Sequence, residues 1–132
     1  MKTVLFICVE NSNRSQMAEA FARMHGGDRV QAASAGSRPS GRINPKAIEA
    51  MKELGYDLTA HSSKGLEAFN GKAVDVAVTM GCGDECPLVV AGRREGWQIP
   101  DPREMPPEEF RGVRDLIETK VLALLSSLDG SH

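Results

Sequence analysis

Three groups of residues in this 132-residue chain have types and spacings suited to chemistry. The first is Cys8-Val-Glu-Asn-Ser-Asn-Arg14-Ser15, a cysteine and an arginine separated by five residues. A segment this short can curl so that its amide N–H groups face one centre, and an arginine at its end can grip two oxygens of a tetrahedral anion. The same positive field favours a thiolate at Cys8, the nucleophilic form of the side chain. Val9, Glu10, Asn11, Ser12, Asn13, Arg14 and Ser15 are therefore the candidate oxyanion-binding set, with Ser15 able to donate to the sulfur and Asn11 to tie the loop into shape. By itself a Cys-x5-Arg pattern is weak, because a buried thiol closing a strand reads the same way.

The second group is Cys82-Gly-Asp-Glu-Cys86, followed by proline. A disulfide across this spacing requires the loop to bring the two Cα atoms within about 7 Å. Half of a zinc site is an alternative, but His25, His61 and His132 have no ligand spacing relative to the pair. Inert loop thiols are a third reading. The last group is Asp101-Pro102, where proline fixes the backbone and can aim a carboxyl, although Asp-Pro is also a common turn pair.

These groups need elements to position them. Residues 3–8 form a β-branched and aromatic run without polar alternation, which predicts a buried parallel strand. The loop 9–14 then leads to a helix starting at Ser15, with Met17, Ala18, Phe21, Ala22 and Met24 apolar and Gly26-Gly27 as its stop. A strand over 29–35 is closed by Gly36. Asn44-Pro45 supplies an N-cap and first helical residue, and that helix carries Ala47, Ile48, Met51 and Leu54 to Gly55. Residues 59–70 are mixed. A third buried strand covers 74–80, residues 81–96 read as loop or short irregular helix, and 97–99 read as a short fourth strand. Phe110, Val113, Ile117, Val121, Leu124 and Leu128 recur at three- and four-residue steps, which predicts a closing helix over 106–128. This alternation implies an α/β fold: one domain over 1–132, with a four-stranded, mostly parallel sheet flanked by helices. The Cys8 loop then lies where ligands bind in such sheets, outside the carboxyl end of a strand and at a helix N-terminus.

The composition excludes several classes of function. Net charge is −2 with mixed signs, which gives no basis for a nucleic-acid or membrane partner. The N-terminal apolar run is too short for a signal peptide or a spanning helix. A cytoplasmic location follows as an expectation, and there cysteines are more often reactive than permanently bridged.

Cys8-x5-Arg14-Ser15 resembles the signature of the low-molecular-weight protein tyrosine phosphatase fold. Its continuation, Arg14-Ser-Gln-Met-Ala-Glu19, resembles the arsenate reductase branch of that fold. Ser34-Ala-Gly36, Asn44-Pro-Lys-Ala-Ile48, His61-Ser-Ser-Lys64, Val78-Thr-Met80 and Asp101-Pro102 extend the resemblance over nearly the whole chain. Phosphatases of this fold often carry proline after the Arg-Ser pair, where Gln16 stands here. The resemblance implies Cys8 as nucleophile, Arg14 as oxyanion clamp and Asp101 as the acid that protonates a leaving oxygen.

In that setting the three cysteines form a closed relay. Cys8 attacks arsenic, Cys82 attacks the Cys8 sulfur as arsenite leaves, and Cys86 attacks Cys82, leaving a Cys82–Cys86 disulfide for an external dithiol to reduce. Thioredoxin is the first expectation for that dithiol. Glutaredoxin or a low-molecular-weight thiol is the alternative, because better-known thioredoxin-linked members space these cysteines more widely. No cofactor is expected. Some members bind potassium through an acidic residue where Lys64 stands here, so an ammonium near Asn11, Glu19 and Ser34 replaces the cation and no metal is expected. The competing activity is phosphotyrosine hydrolysis, which needs Cys8, Arg14 and Asp101 but neither Cys82 nor Cys86. It also needs an aromatic rim, and Arg103-Glu-Met105 follow Asp101-Pro102 instead. A monomer is expected.

Overall fold

The computed structural model describes residues 2–8, 13–36, 41–63, 65, 73–80, 90–100, 102 and 104–129. Their first strand, β1 (Lys2–Cys8), is interior to a sheet with β2 (Val30–Gly36) on one side and β3 (Ala73–Thr79) on the other. Val4, Phe6 and Cys8 join one buried cluster and Leu5 and Ile7 another, so both faces of β1 are covered. That double burial is why its sequence shows no alternation. All pairings are parallel, in the order β2-β1-β3-β4, with β4 (Val90–Gly96) at an edge. The carboxyl ends of all four strands therefore share one edge of the sheet.

Helix α1 (Arg14–Gly26) lies on β1 and β2 and against α3 (Pro107–Asp129). It stops where Gly27 enters the left-handed region at φ +54° and returns its N–H to the Arg23 carbonyl. Helix α2 (Pro45–Lys52) opens as the sequence predicts, with Asn44 Oδ1 accepting from the Lys46 N–H at 2.9 Å and Pro45 in the first turn. After α2 the chain turns through Gly55, at φ +83°, and Tyr56 N–H bonds back to the Met51 carbonyl at 3.1 Å. The predicted apolar positions of α3 from Phe110 to Leu124 are buried. The chain thus has the predicted α/β class.

The fourth strand is not where the sequence places it. Residues 97–99 are not a strand; β4 is Val90–Gly96, inside the segment read as loop. The cause is its polar composition, which an edge position tolerates. An edge strand has one neighbour and needs no apolar run, and Arg93 and Arg94, both exposed, discourage pairing with another chain. Trp97 adds one bond beyond β4, from its N–H to the Thr79 carbonyl at 2.9 Å, and buries its ring against Phe6. Boundaries elsewhere shift by one or two residues: α1 begins at Arg14, β2 at Val30, and α2 ends at Lys52.

Candidate active site

Cys8 ends β1 in register with Gly36 of β2, so its thiol sits at the carboxyl edge of the sheet. It is 2% exposed. Its Sγ lies 2.8 Å from Ser15 Oγ, in the first turn of α1. A thiolate at Cys8 would accept from the Ser15 hydroxyl, and the positive end of α1 favours that charge. The first turn of α1 carries no acidic residue to offset it.

Arg14 precedes Ser15 and is 9% exposed. Its Nη1 donates to the Ile99 carbonyl at 3.1 Å, and no carboxylate pairs with it among the described residues. Buried guanidinium groups are ordinarily paired, because burying a charge alone is costly. One donor anchored on Ile99 leaves further N–H groups for two oxygens of an anion. Asn13, 4% exposed, adds an Oδ1 without a hydrogen-bond partner among the described residues and does not cap α1 with its side chain. The structure therefore brings together Cys8, Asn13, Arg14 and Ser15 of the predicted set. Val9, Glu10, Asn11, Ser12, Cys82, Cys86 and Asp101 lie outside the described residues, as does Lys64.

Residues 3–132 match the family model for the low molecular weight phosphotyrosine protein phosphatase. The chain belongs to that family. Within the low molecular weight phosphotyrosine protein phosphatases it is 38% identical over 131 residues to the glutaredoxin arsenate reductase of Synechocystis sp., covering 97% of this chain and 99% of that one. It superposes on the solved structure of an arsenate reductase in its phosphate-binding state with a TM-score of 0.86 at 36% identity, over 96% of this chain and 98% of the other. The thioredoxin-dependent arsenate reductase of Corynebacterium glutamicum gives a TM-score of 0.83 at 31% identity, over all of this chain and 64% of that one. The four-stranded parallel sheet implied by the resemblance is thus the family's.

In this family member a layer of polar groups is built on Gln16 and Glu19 of α1, just after Arg14 and Ser15, and sequence reasoning did not connect it. Gln16, fully buried, donates through Nε2 to the Ser62 carbonyl at 2.9 Å and places Oε1 3.0 Å from His61 Nδ1. His61 Nε2 is 2.6 Å from the hydroxyl of Tyr56. Glu19, 3% exposed, accepts from Ser34 Oγ at 2.6 Å and from Arg23 Nε at 2.9 Å. Of the predicted neighbours of Lys64, Glu19 and Ser34 are thus together, with the carboxylate already held by a hydroxyl and a guanidinium. Gln16, Glu19 and Arg23 fall at three- and four-residue steps on one side of α1, which marks a polar stripe, but nothing local in the sequence joins it to Tyr56 and His61. His25, weighed as a zinc ligand, instead faces Glu118 of α3 at 2.8 Å. No cluster of three or more metal-ligating side chains occurs among the described residues.

Proposed function

We propose that this chain reduces arsenate to arsenite. The observation that carries the reading is Arg14: a buried guanidinium that no carboxylate pairs among the described residues, next in sequence to the Ser15 that hydrogen-bonds a buried thiol. Such a pair suits a tetrahedral oxyanion and a sulfur nucleophile. Kinship with proteins named arsenate reductases, over nearly the whole chain, favours arsenate over a phosphate ester.

Arg14 and the loop over 9–13 hold the anion, and Cys8 attacks arsenic(V) as thiolate. Asp101 protonates the departing hydroxide, so water leaves and a sulfur–arsenic bond forms; general acid catalysis of this kind contributes about 10²–10⁴-fold. Cys82 then attacks Cys8 Sγ. The new S–S bond replaces the S–As bond, whose electron pair passes to arsenic, and arsenite leaves as arsenic(III). Cys86 attacks the Cys82 sulfur, which frees Cys8 and leaves a Cys82–Cys86 disulfide. A dithiol protein in a reducing compartment, the cytoplasm, restores both thiols. Among the described residues no helix is long and apolar enough to cross a membrane.

The test couples arsenate to NADPH oxidation, in one arm through thioredoxin and its reductase and in the other through glutaredoxin, glutathione and its reductase. The wild-type protein turns over in one arm. A Cys86→Ser variant completes one turnover and stalls with a Cys8–Cys82 disulfide. Multiple turnovers by that variant would refute the relay. Phosphotyrosine hydrolysis that is strong and indifferent to Cys82→Ser would replace arsenate reduction with the phosphatase reading. Slow hydrolysis of a small aryl phosphate decides nothing, because the same cradle predicts it.

A further inference from the structure

The amide of Gln16 dictates the hydrogen positions of the polar layer built on α1. A carbonyl oxygen can only accept, so the Ser62 carbonyl at 2.9 Å fixes the NH₂ end of the Gln16 amide toward itself. Oε1 therefore faces His61 Nδ1 at 3.0 Å, and Nδ1 must carry the hydrogen. In the neutral ring Nε2 is then an acceptor, and the Tyr56 hydroxyl at 2.6 Å donates to it. The result is a chain of donors running one way, from Tyr56 to His61 to Gln16 to the Ser62 carbonyl. It begins on the turn after α2, passes through Gln16 on the first turn of α1, next to Arg14 and Ser15, and ends on the Ser62 carbonyl.

Burial makes this chain consequential. The His61 side chain is 5% exposed, so an imidazole nitrogen that loses its partner is not readily rescued by water. The Tyr56 ring meets the imidazole edge-on, with centroids 5.5 Å apart. Burial raises the phenol's titration above its usual value, as do Glu19 and Asp57, while Arg23 opposes them; the phenol stays a donor. Among the described residues, the charged groups around His61 are Glu19, whose Oε2 is 3.6 Å from Nδ1, Arg23, which holds that same carboxylate, and Asp57.

Resting on the arsenate reductase reading, we propose that Tyr56 is a positioning residue for the oxyanion site, acting through the His61 tautomer and Gln16 on the first turn of α1. Without the phenol hydrogen, the Nδ1–H tautomer has lost its donor at Nε2. The imidazole turns or exchanges tautomer, its hydrogen bond to Gln16 Oε1 is lost, and the turn bearing Arg14 and Ser15 is held less firmly. Small misplacements at an anion clamp are costly in rate.

Tyr56→Phe keeps the ring contact and removes only the hydroxyl. The expected result is an approximately tenfold fall in kcat/KM for arsenate, carried mainly by KM. The same Tyr56→Phe change in a His61→Gln background should cost less than about twofold, because residues acting through one contact are not additive. Equal losses in both backgrounds, or no loss in Tyr56→Phe, would overturn the proposal. Independently of any variant, ¹⁵N NMR of the wild-type imidazole should show hydrogen on Nδ1 and an unprotonated Nε2 at neutral pH. The reverse tautomer would also overturn it. Should the wild type fail to reduce arsenate, the function reading falls. Tyr56 is then judged by protection of Cys8 from alkylation by inorganic phosphate, which Tyr56→Phe should weaken about tenfold; unchanged protection would refute its role.

Discussion

Replacing Ser15 with alanine deletes one fully buried atom, the hydroxyl oxygen that lies 2.8 Å from Cys8 Sγ. A hydrogen bond to a charged acceptor contributes about 1.5–3 kcal/mol, which is roughly 10- to 150-fold in the equilibrium between thiolate and thiol. Reactivity falls by less than that. A more basic thiolate is also a better nucleophile, with a Brønsted coefficient of about 0.4–0.5, so the remaining thiolate gains roughly 3- to 10-fold. The net expectation at neutral pH is a Cys8 that reacts roughly 3- to 20-fold more slowly with a small disulfide. In alkaline buffer, where both forms are ionised, the variant is the faster one. The assay follows mixed-disulfide formation by mass spectrometry against pH, in a Cys82→Ser, Cys86→Ser background that leaves Cys8 as the sole thiol. The crossing of the two profiles is the signature, because general loosening of the site slows the reaction at every pH. Profiles that coincide, or that run parallel without crossing, would refute the role given to the hydroxyl.

Two further expectations concern the scaffold. A Cβ at Gly26 would press on Val30 Cγ2 and lie 3.4 Å from Leu125 Cδ2, where α1 meets β2 and α3. Overpacking costs about 1–3 kcal/mol and the gain in helix propensity is about 1 kcal/mol, so Gly26→Ala should lower the melting temperature by a few degrees; an unchanged or higher value would show that Val30 gives way. In acid, the carboxyl of Glu53 is held below its usual 4.5 chiefly by its hydrogen bond from Arg111, and that of Asp57 below 3.8 chiefly by the Thr59 hydroxyl. Folded values below unfolded ones give stability that is complete above those usual values and is lost as pH falls through the depressed ones. Urea unfolding midpoints should therefore decline in that window, and Glu53→Gln should flatten the decline modestly, since the group is exposed; an equally steep decline would assign acid sensitivity elsewhere.

The elements with a clear apolar pattern, β1 to β3 and the three helices, were legible in the sequence, and the polar edge strand β4 was not. Val4, Leu5, Phe6 and Ile7 admit almost no reading except an interior parallel strand, and their burial bears that out. Val90–Gly96 carries two arginines, a glutamate and two glycines, a composition an edge strand shares with a loop. At the site, Cys8, Arg14 and Ser15 were found because a cysteine, an arginine and a helix start fall within eight residues of one another. The polar layer built on α1 was not, because Gln16, Tyr56 and His61 are joined only by a turn of chain that brings residues 56 and 61 to α1. No local pattern encodes that contact. Gln16 was noticed only as a departure from phosphatases with proline at that position, and the structure gives the amide its use: it faces both the Ser62 carbonyl and His61.

Arg14 joins two halves of the proposed chemistry that the sequence lists separately. Its guanidinium holds the Ile99 carbonyl with one donor, and in the proposed reaction its other donors grip the anion. Ile99 is two residues before Asp101, in the segment that leaves β4 and buries Trp97 and Ile99 against the core. The group that grips the anion is thus anchored on the stretch of chain that leads into the proposed acid. A lysine at position 14 would keep the charge but not the fork, and with one nitrogen it cannot serve a carbonyl and two anion oxygens with the same geometry. This places the requirement for arginine in the scaffold as much as in the substrate. Strand β4 and its continuation, the segment hardest to read from sequence, supply the backbone carbonyl against which the clamp is set.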